Sequence, residues 1–189
     1  MKHQYCAEYQ GIAIRPVCED DLESLRMWRN NKELSRFLSP ISEITPDMQY
    51  VWYKNYLIDK NLIFFTVIDT EKKKAIGSVA LYNFKDSYCE VGKIVIGDAS
   101  ERGKGAGYYS LLMAMCIGIK ELFIEDFFLK VCEKNNVACR MYEKIGFKEI
   151  GRHAFIGGGE ELIMTISKRD FEQCNQIYSD IHIFYSGKL

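Results

Sequence analysis

Asp98-Ala99-Ser100-Glu101-Arg102-Gly103-Lys104-Gly105-Ala106-Gly107 is the stretch where the hydrophobic pattern of the chain changes period. Before it lie three apolar runs, residues 62–68, 75–84 and 88–96, separated by short polar turns, which predict an antiparallel meander. After it Tyr108, Leu111, Leu112, Met115, Ile119 and Leu122 recur at helical spacing and predict a long buried helix. Glycines at 103, 105 and 107 let the backbone approach a ligand and adopt positive φ. The free N–H groups and positive dipole end of the following helix make this junction an anion site, most naturally for phosphate. Arg102 and Lys104 add fixed positive charge.

Toward the N-terminus, residues 11–17 predict a strand, and Glu19-Asp20-Asp21 opens a helix carrying Leu22, Leu25 and Trp28 on one face. Acidic residues in a first turn suit the helix dipole. Residues 37–44 predict a loop around Pro40, and Thr45-Pro46 caps and starts a second helix crowded with Tyr50, Trp52, Tyr53, Tyr56 and Leu57. Toward the C-terminus, residues 127–132 predict another strand. Asn135 caps a short helix built on Ala138, Met141, Tyr142 and Ile145, which Gly146 ends. Residues 147–156 and 162–167 predict a hairpin across Gly157-Gly158-Gly159, and the tail, 168–189, is expected to add a short helix. No repeat, linker or low-complexity segment interrupts the chain. The expectation is one α/β (α+β) domain over residues 1–189, with its core in 11–167: a mixed, mostly antiparallel sheet flanked by helices.

Composition narrows the function. At 189 residues the chain buries about 70% of its unfolded surface without a staple. Its 25 basic and 26 acidic residues give a net charge of -1, and its longest basic run, Lys72-Lys73-Lys74, sits between two strand-like segments as a solvated turn. That argues against a nucleic-acid partner. Seven cysteines lie without C-x-x-C spacing beside three histidines, so no metal site is expected. Cys89, Cys116 and Cys132 read as small buried hydrophobes, and an odd number of cysteines without a framework suits a reducing compartment. The polar first ten residues are not a signal peptide, and no run approaches the ~20 apolar residues of a membrane span. A cytoplasmic protein with no membrane partner is expected.

Two common phosphate loops fail on their own terms. A P-loop read around Gly103-Lys104 would put Asp98 at its first glycine and Gly105 at its magnesium-binding hydroxyl. A dinucleotide fingerprint starting at Gly105-x-Gly107 runs into Ser110 and follows a meander rather than the first strand of a parallel unit. What remains is Arg102-x-x-Gly105-x-Gly107, followed one strand later by Asn135-x-x-Ala138-x-x-x-Tyr142-x-x-x-Gly146-Phe147. In this order the two motifs resemble the signatures of the GNAT N-acetyltransferase superfamily, over roughly residues 11–167. Trp28-Arg29-Asn30, Glu90-Val91-Gly92 and the turn at 155–160 are similar to the branch holding ribosomal-protein N-terminal, spermidine and amino-sugar-nucleotide acetyltransferases. Many relatives carry one glycine in that turn, whereas this chain carries three.

The resemblance implies acetyl-CoA as co-substrate, no metal, an amine-bearing acceptor, and room for a homodimer. Direct attack of an amine on the thioester requires the amine to lose a proton, the oxyanion to be stabilised and the leaving thiolate to be protonated. Tyr142 then stands as general acid, since a phenol near pKa ~10 can protonate a thiolate whose thiol lies near ~8.5; its spacing equally fits a core aromatic. Glu90 stands as general base, often through water in relatives, or else as an ordinary strand-end carboxylate. Ile94, Val95 and Ile96 are implied to offer backbone groups to pantetheine and oxyanion. Arg102, Gly103, Lys104, Gly105, Ala106 and Gly107 are implied to hold the pyrophosphate. Asn135 caps its helix and is implied to touch the coenzyme. A covalent route through Cys132 or Cys139 is the less favoured alternative.

Acceptor selectivity is expected from Trp28, Arg29, Asn30, Tyr82 and Asn83, beside the aromatics of the second helix. These mix aromatic faces with hydrogen-bond donors and few carboxylates, whereas a polyamine site collects acids. The expected acceptor is therefore a primary amine on a peptide N-terminus or small metabolite. Alternatives are an amino-sugar nucleotide, a polyamine, or a non-catalytic acyl-CoA-binding domain, the last disfavoured by the presence of both Tyr142 and Glu90.

Overall fold

The computed structural model describes residues 3–187 and folds them around one nine-stranded sheet. In chain order its elements are β1 (Tyr5–Tyr9), β2 (Ile12–Pro16), α1 (Leu22–Asn30), α2 (Lys32–Ser35), α3 (Pro46–Ile58), β3 (Leu62–Asp69), β4 (Lys74–Lys85) and β5 (Tyr88–Ile96). Then come α4 (Ala106–Leu122), β6 (Asp126–Cys132), α5 (Asn136–Ile145), β7 (Lys148–Ala154), β8 (Glu160–Ser167), α6 (Lys168–Cys174) and β9 (His182–Tyr185). The sheet order is β7-β8-β6-β5-β4-β3-β2-β1-β9, and β5–β6 is its parallel pair.

The expected meander, long helix and final hairpin are all present. The chemistry foreseen at the helix ends also holds: Thr45 Oγ1 accepts from Met48 N at 3.2 Å with Pro46 in the first turn, and Gly146 ends α5 at φ 110°. α4 packs across one sheet face, and its residues 111–117 are wholly buried. α1 and α3 cover the other face over a smaller core of Val17, Leu25, Tyr53, Tyr56, Leu62, Phe64 and Ala80. The two layers thus leave β4 and β5 with helices on both sides.

Several features depart from expectation. The polar-looking start contains β1, which a two-residue turn at Gln10-Gly11, φ 51° and 74°, folds back on β2; positive φ at both positions suits the twist of a tight hairpin. The tail contributes β9 as well as helix α6, pairing with β1; its last two residues, like Met1 and Lys2, lie outside the described residues. Asn31 caps the unexpected α2 by accepting from Glu33 N and Leu34 N. Asp21 does more than complement a dipole. Buried, it accepts from Arg15 at 2.7 and 2.8 Å, Cys18 N at 2.9 Å and Thr66 Oγ1 at 2.7 Å, fastening the start of α1 to β2 and β3.

Lys72-Lys73-Lys74 is an exposed turn, and its Lys72 and Lys74 pair with Glu101 and Asp98 of the glycine-loop segment. All seven cysteines are free; Cys89, Cys116 and Cys132 are buried. Among the described residues no helix is long and apolar enough to cross a membrane, and no group of three His, Cys, Asp or Glu is placed to hold a metal.

Candidate active site

The site begins as a gap in the sheet. β5 and β6 pair only from Tyr88–Asp126 to Glu90–Phe128, although β5 continues to Ile96 and β6 to Cys132. Beyond Glu90 the strands part, because β6 stays paired with β8 along its whole length while β5 follows β4. A bulge at Lys93, φ 53°, sharpens the divergence, and Ser78 Oγ donates to the Lys93 carbonyl at 3.0 Å to hold it. Ile94, Val95 and Ile96 therefore present a β5 edge that β6 does not cover, the arrangement a pantetheine arm needs to add to the sheet.

At the far end of that edge lies the glycine loop. Gly103 and Gly105 have φ 76° and 92°, and a Cβ on Gly105 would sit 2.9 Å from the Tyr109 ring. This is a cradle that only glycine leaves open. Asp98 starts the loop by accepting from Ser100 N at 2.9 Å, and its ion pair with Lys74, then Ser100, hold its carboxyl well below the usual range. Arg102 Nε and Nη2 donate to the carbonyls of Ile96 and Gly97 at 3.0 and 3.2 Å, so this guanidinium builds the loop's entry. Exposed Lys104 lies 3.5 Å from Glu101. Gly107, in the first turn of α4, packs toward Ile94, Ile96 and Met141, all within 4 Å of where its Cβ would be.

A cleft of about 530 Å³ runs from Gly105 between α4 and α5, past Tyr108, Tyr109, Asn136, Arg140, Met141 and Lys144. Asn135 keeps its capping role, accepting from Ala138 N at 3.3 Å, while its neighbour Asn136 lines the cleft. Arg140 and Lys144 are the cations on this cleft, and sequence reading missed them. Their signal was an i, i+4 basic pair on the helix of the second motif. The glycine cradle, the helix start behind it and two cations fit the phosphates of coenzyme A, and the uncovered β5 edge fits its arm.

Where β5 and β6 part, on the face of β4 and β5 toward α1 and α3, Glu90 is buried at 6% exposure. Tyr82 Oη donates to one of its oxygens at 2.7 Å and Asn83 Nδ2 to the other at 2.8 Å. Consecutive strand residues normally face opposite ways. Asn83, at φ 53° in a second bulge, turns so that both reach one carboxylate. Gly92 makes the space: a Cβ there would lie 2.9 Å from Tyr82 Oη. Burial, then the bond to Glu90 and its charge, push the Tyr82 phenol far up, so it remains a donor. Tyr142 is buried on α5, edge-on to Phe147 at 5.9 Å, and burial likewise raises its pKa and keeps it protonated. It lies within electrostatic reach of Tyr82.

Lys93 Nζ stands 4.5 Å above the Tyr82 ring. Partial loss of solvation lowers its pKa, which Glu90 opposes and Arg29 reinforces. Arg29 donates to Ser39 O, and Asn30 is engaged at both ends of its amide, by Ile44 O and Ile44 N at 2.9 Å each, so it clamps the 37–44 loop. The Trp28 indole lies flat on Gly97, where any Cβ would collide with it at about 2.1 Å, and so joins α1 to the end of β5. Tyr53 is core and Trp52 packs against it through Tyr56, while Tyr50 is exposed under Lys54. Of the predicted acceptor residues, Tyr82 and Asn83 meet Glu90, whereas Trp28 and Asn30 hold the architecture around them.

Residues 12–148 match the acetyltransferase (GNAT) domain family, and the chain belongs to it: a family of acetyl-CoA-dependent N-acetyltransferases. Among curated proteins the chain is 24% identical over 151 residues to the mouse alpha/beta-tubulin-N-acetyltransferase 9, covering 74% of this chain and 62% of that protein. It is 22% identical over 182 residues to an N-acetyltransferase 9-like protein of Nematostella vectensis, covering 90% of each. Among solved structures it superposes on spermidine N-acetyltransferase from Vibrio cholerae in complex with CoA and spermine, with a TM-score of 0.78 and 22% identity over 86% of this chain and 98% of that one.

Proposed function

We propose that this chain transfers an acetyl group from acetyl-CoA directly to a primary amine on a peptide or protein N-terminus or a small metabolite. The observation that carries the reading is Glu90, a buried carboxylate held by Tyr82 and Asn83 where β5 and β6 part. Acetyl-CoA, when bound, supplies the activated acetyl group. Gly103, Gly105 and the first turn of α4 hold its pyrophosphate, with Arg140 and Lys144 on the same cleft. The uncovered edge of Ile94–Ile96 orients its arm. Glu90 takes the proton of the acceptor ammonium, directly or through water, and the bonds from Tyr82 and Asn83 fix the carboxylate's orientation. Tyr142, kept protonated by burial, donates to the departing sulfur. The presence of both groups favours an enzyme over a silent acyl-CoA-binding domain.

The acceptor reading is supported by Lys93, which lies over the Tyr82 ring within electrostatic reach of Glu90 and of Arg29, a poor environment for a polycation. The tubulin named in the mouse relative supports a protein acceptor. The test is one acetyl-transfer screen across peptide N-termini, polyamines, aminoglycosides and amino-sugar nucleotides, read as thiol release. Preference for peptide N-termini or a small primary amine is expected. A strong preference for spermidine would overturn the acceptor assignment, and no thiol release with any amine would favour the binding-domain alternative.

A further inference from the structure

Lys93 is an unusual residue for its position. It occupies a strand bulge at positive φ, a conformation that glycine or asparagine adopts more readily. The residue reaches the surface, and its partly desolvated ammonium lies over the face of Tyr82, the residue whose hydroxyl holds Glu90. Among the described residues neither Lys93 nor Arg29 has a carboxylate within ion-pair distance, although the two lie within electrostatic reach of each other. Both Glu90 oxygens already accept, from Tyr82 and Asn83. An amine delivered to Glu90 therefore comes up beside a cation one tyrosine ring away, with a second cation behind it.

We propose that Lys93, backed by Arg29, selects acceptors that carry a carboxylate close to the reactive amine, the class represented by peptides with an acidic residue next to their N-terminus. This rests on the peptide-acceptor reading above and extends it to a substrate class. The ammonium on the rim accommodates the acceptor's carboxylate, while the amine reaches the buried Glu90. An acceptor with further ammonium groups meets like charge there instead, which accounts for specificity through repulsion as well as attraction. The bulge matters because it turns Lys93 toward the Tyr82 side, and Ser78 fixes it there.

The test uses the full chain, acetyl-CoA and three peptides differing only at the second residue: Glu, Gln or Lys. For the parent, kcat/KM for the Glu peptide should exceed that for the Gln peptide about tenfold, the scale of one charge-assisted hydrogen bond, with the Lys peptide poorest. Lys93→Met should bring the Glu/Gln ratio close to one, and Lys93→Glu should invert the order. Should these variants fail to fold, the parent alone suffices: its Glu/Gln ratio should fall as salt rises from about 0.05 to about 0.5 M. Transfer to all three peptides at equal rates, or a salt-independent ratio, overturns the inference and leaves the peptide-acceptor reading standing. So does an unchanged ratio in Lys93→Met accompanied by a raised KM for acetyl-CoA, which would assign the cation to the donor's phosphates. Transfer to none of the peptides removes the acceptor reading, and this inference with it.

Discussion

Gly92→Ala probes the Glu90 cluster without touching a polar group. The backbone at Gly92 is not in the left-handed region, so alanine introduces no φ strain there, and it narrows the unfolded ensemble. Its Cβ, however, would sit 2.9 Å from Tyr82 Oη, 3.5 Å from Cε1 and 3.7 Å from Cζ. The ring contacts are tolerable, but the hydroxyl must retreat by roughly 0.5 Å to reach an ordinary carbon–oxygen separation near 3.4 Å. A shift of that size disturbs the bond to the carboxylate, which the hydroxyl now holds at 2.7 Å. A hydrogen bond to a charged group contributes about 1.5–3 kcal/mol, so losing it should lower kcat/KM by roughly 10- to 100-fold while the protein stays folded. Tyr82→Phe should cost a similar amount, and the double variant should be little worse than either, because the two changes remove the same bond. The assay is steady-state acetyl transfer beside a thermal melt. A folded Gly92→Ala variant within twofold of the parent, or fully additive losses in the double variant, would refute the positioning role of Tyr82.

Gly105→Asp should abolish acetyl-CoA binding in calorimetric titration, since φ 92°, a Cβ 2.9 Å from Tyr109 and a negative charge all act against the cradle; unchanged affinity in a folded variant would remove the loop from the donor site. Tyr142→Phe should lower turnover ~10²-fold with coenzyme affinity nearly intact, and a loss of only a few-fold would make this buried ring purely structural. His3, 7% exposed, donates from Nε2 to Phe64 O at 3.1 Å with Nδ1 unpaired, and burial lowers its pKa to about 4. Between pH ~6.5 and about 4 the unfolded chain takes a proton that the native state refuses, so stability falls as pH falls through this window, by up to about 3 kcal/mol. Urea midpoints of the parent and His3→Phe should converge in slope if His3 were not responsible.

The legible part of this protein is the part written locally. The change of period at Asp98–Gly107, the Thr45-Pro46 start and the Gly146 stop each depend on residues within one turn of one another, and each is present in the structure. β1 and β9 escaped because they are five and four residues long and mix polar with apolar positions, and β9 forms only by pairing with β1 across most of the chain. The roles of Asn30 and Arg102 escaped for a related reason. Their backbone partners, Ile44, Ile96 and Gly97, come to them through loop geometry that the sequence does not spell out. Glu90, Tyr82 and Asn83 were each named from sequence, but their union needs a bulge that no residue type announces.

That bulge has a counterpart, and the distribution of backbone strain says what the pair is for. Among the described residues six non-glycine residues have positive φ: Gln10, Lys73, Asn83, Asp86, Lys93 and Phe123. Gln10, Lys73 and Asp86 lie in turns between strands, and Phe123 ends α4, places where this conformation closes a connection. Asn83 and Lys93 alone lie inside strands, on adjacent β4 and β5, and they flank Glu90. Such a conformation costs on the order of 1–3 kcal/mol at a non-glycine residue. β4 and β5 pair on both sides of each bulge, with the register shifted by one residue across it. What the strain provides is orientation. At Asn83 it brings a second donor onto the Glu90 carboxylate, and at Lys93 it opens the edge of β5 and sets a cation over Tyr82. Asn61 O accepting from Asn83 N, and Ser78 Oγ donating to Lys93 O, hold both distortions. Replacing Ser78 with alanine should therefore impair acetyl transfer more than it impairs stability, because the relaxed strand would still pair with β4 and would lose the geometry that the bulge maintains.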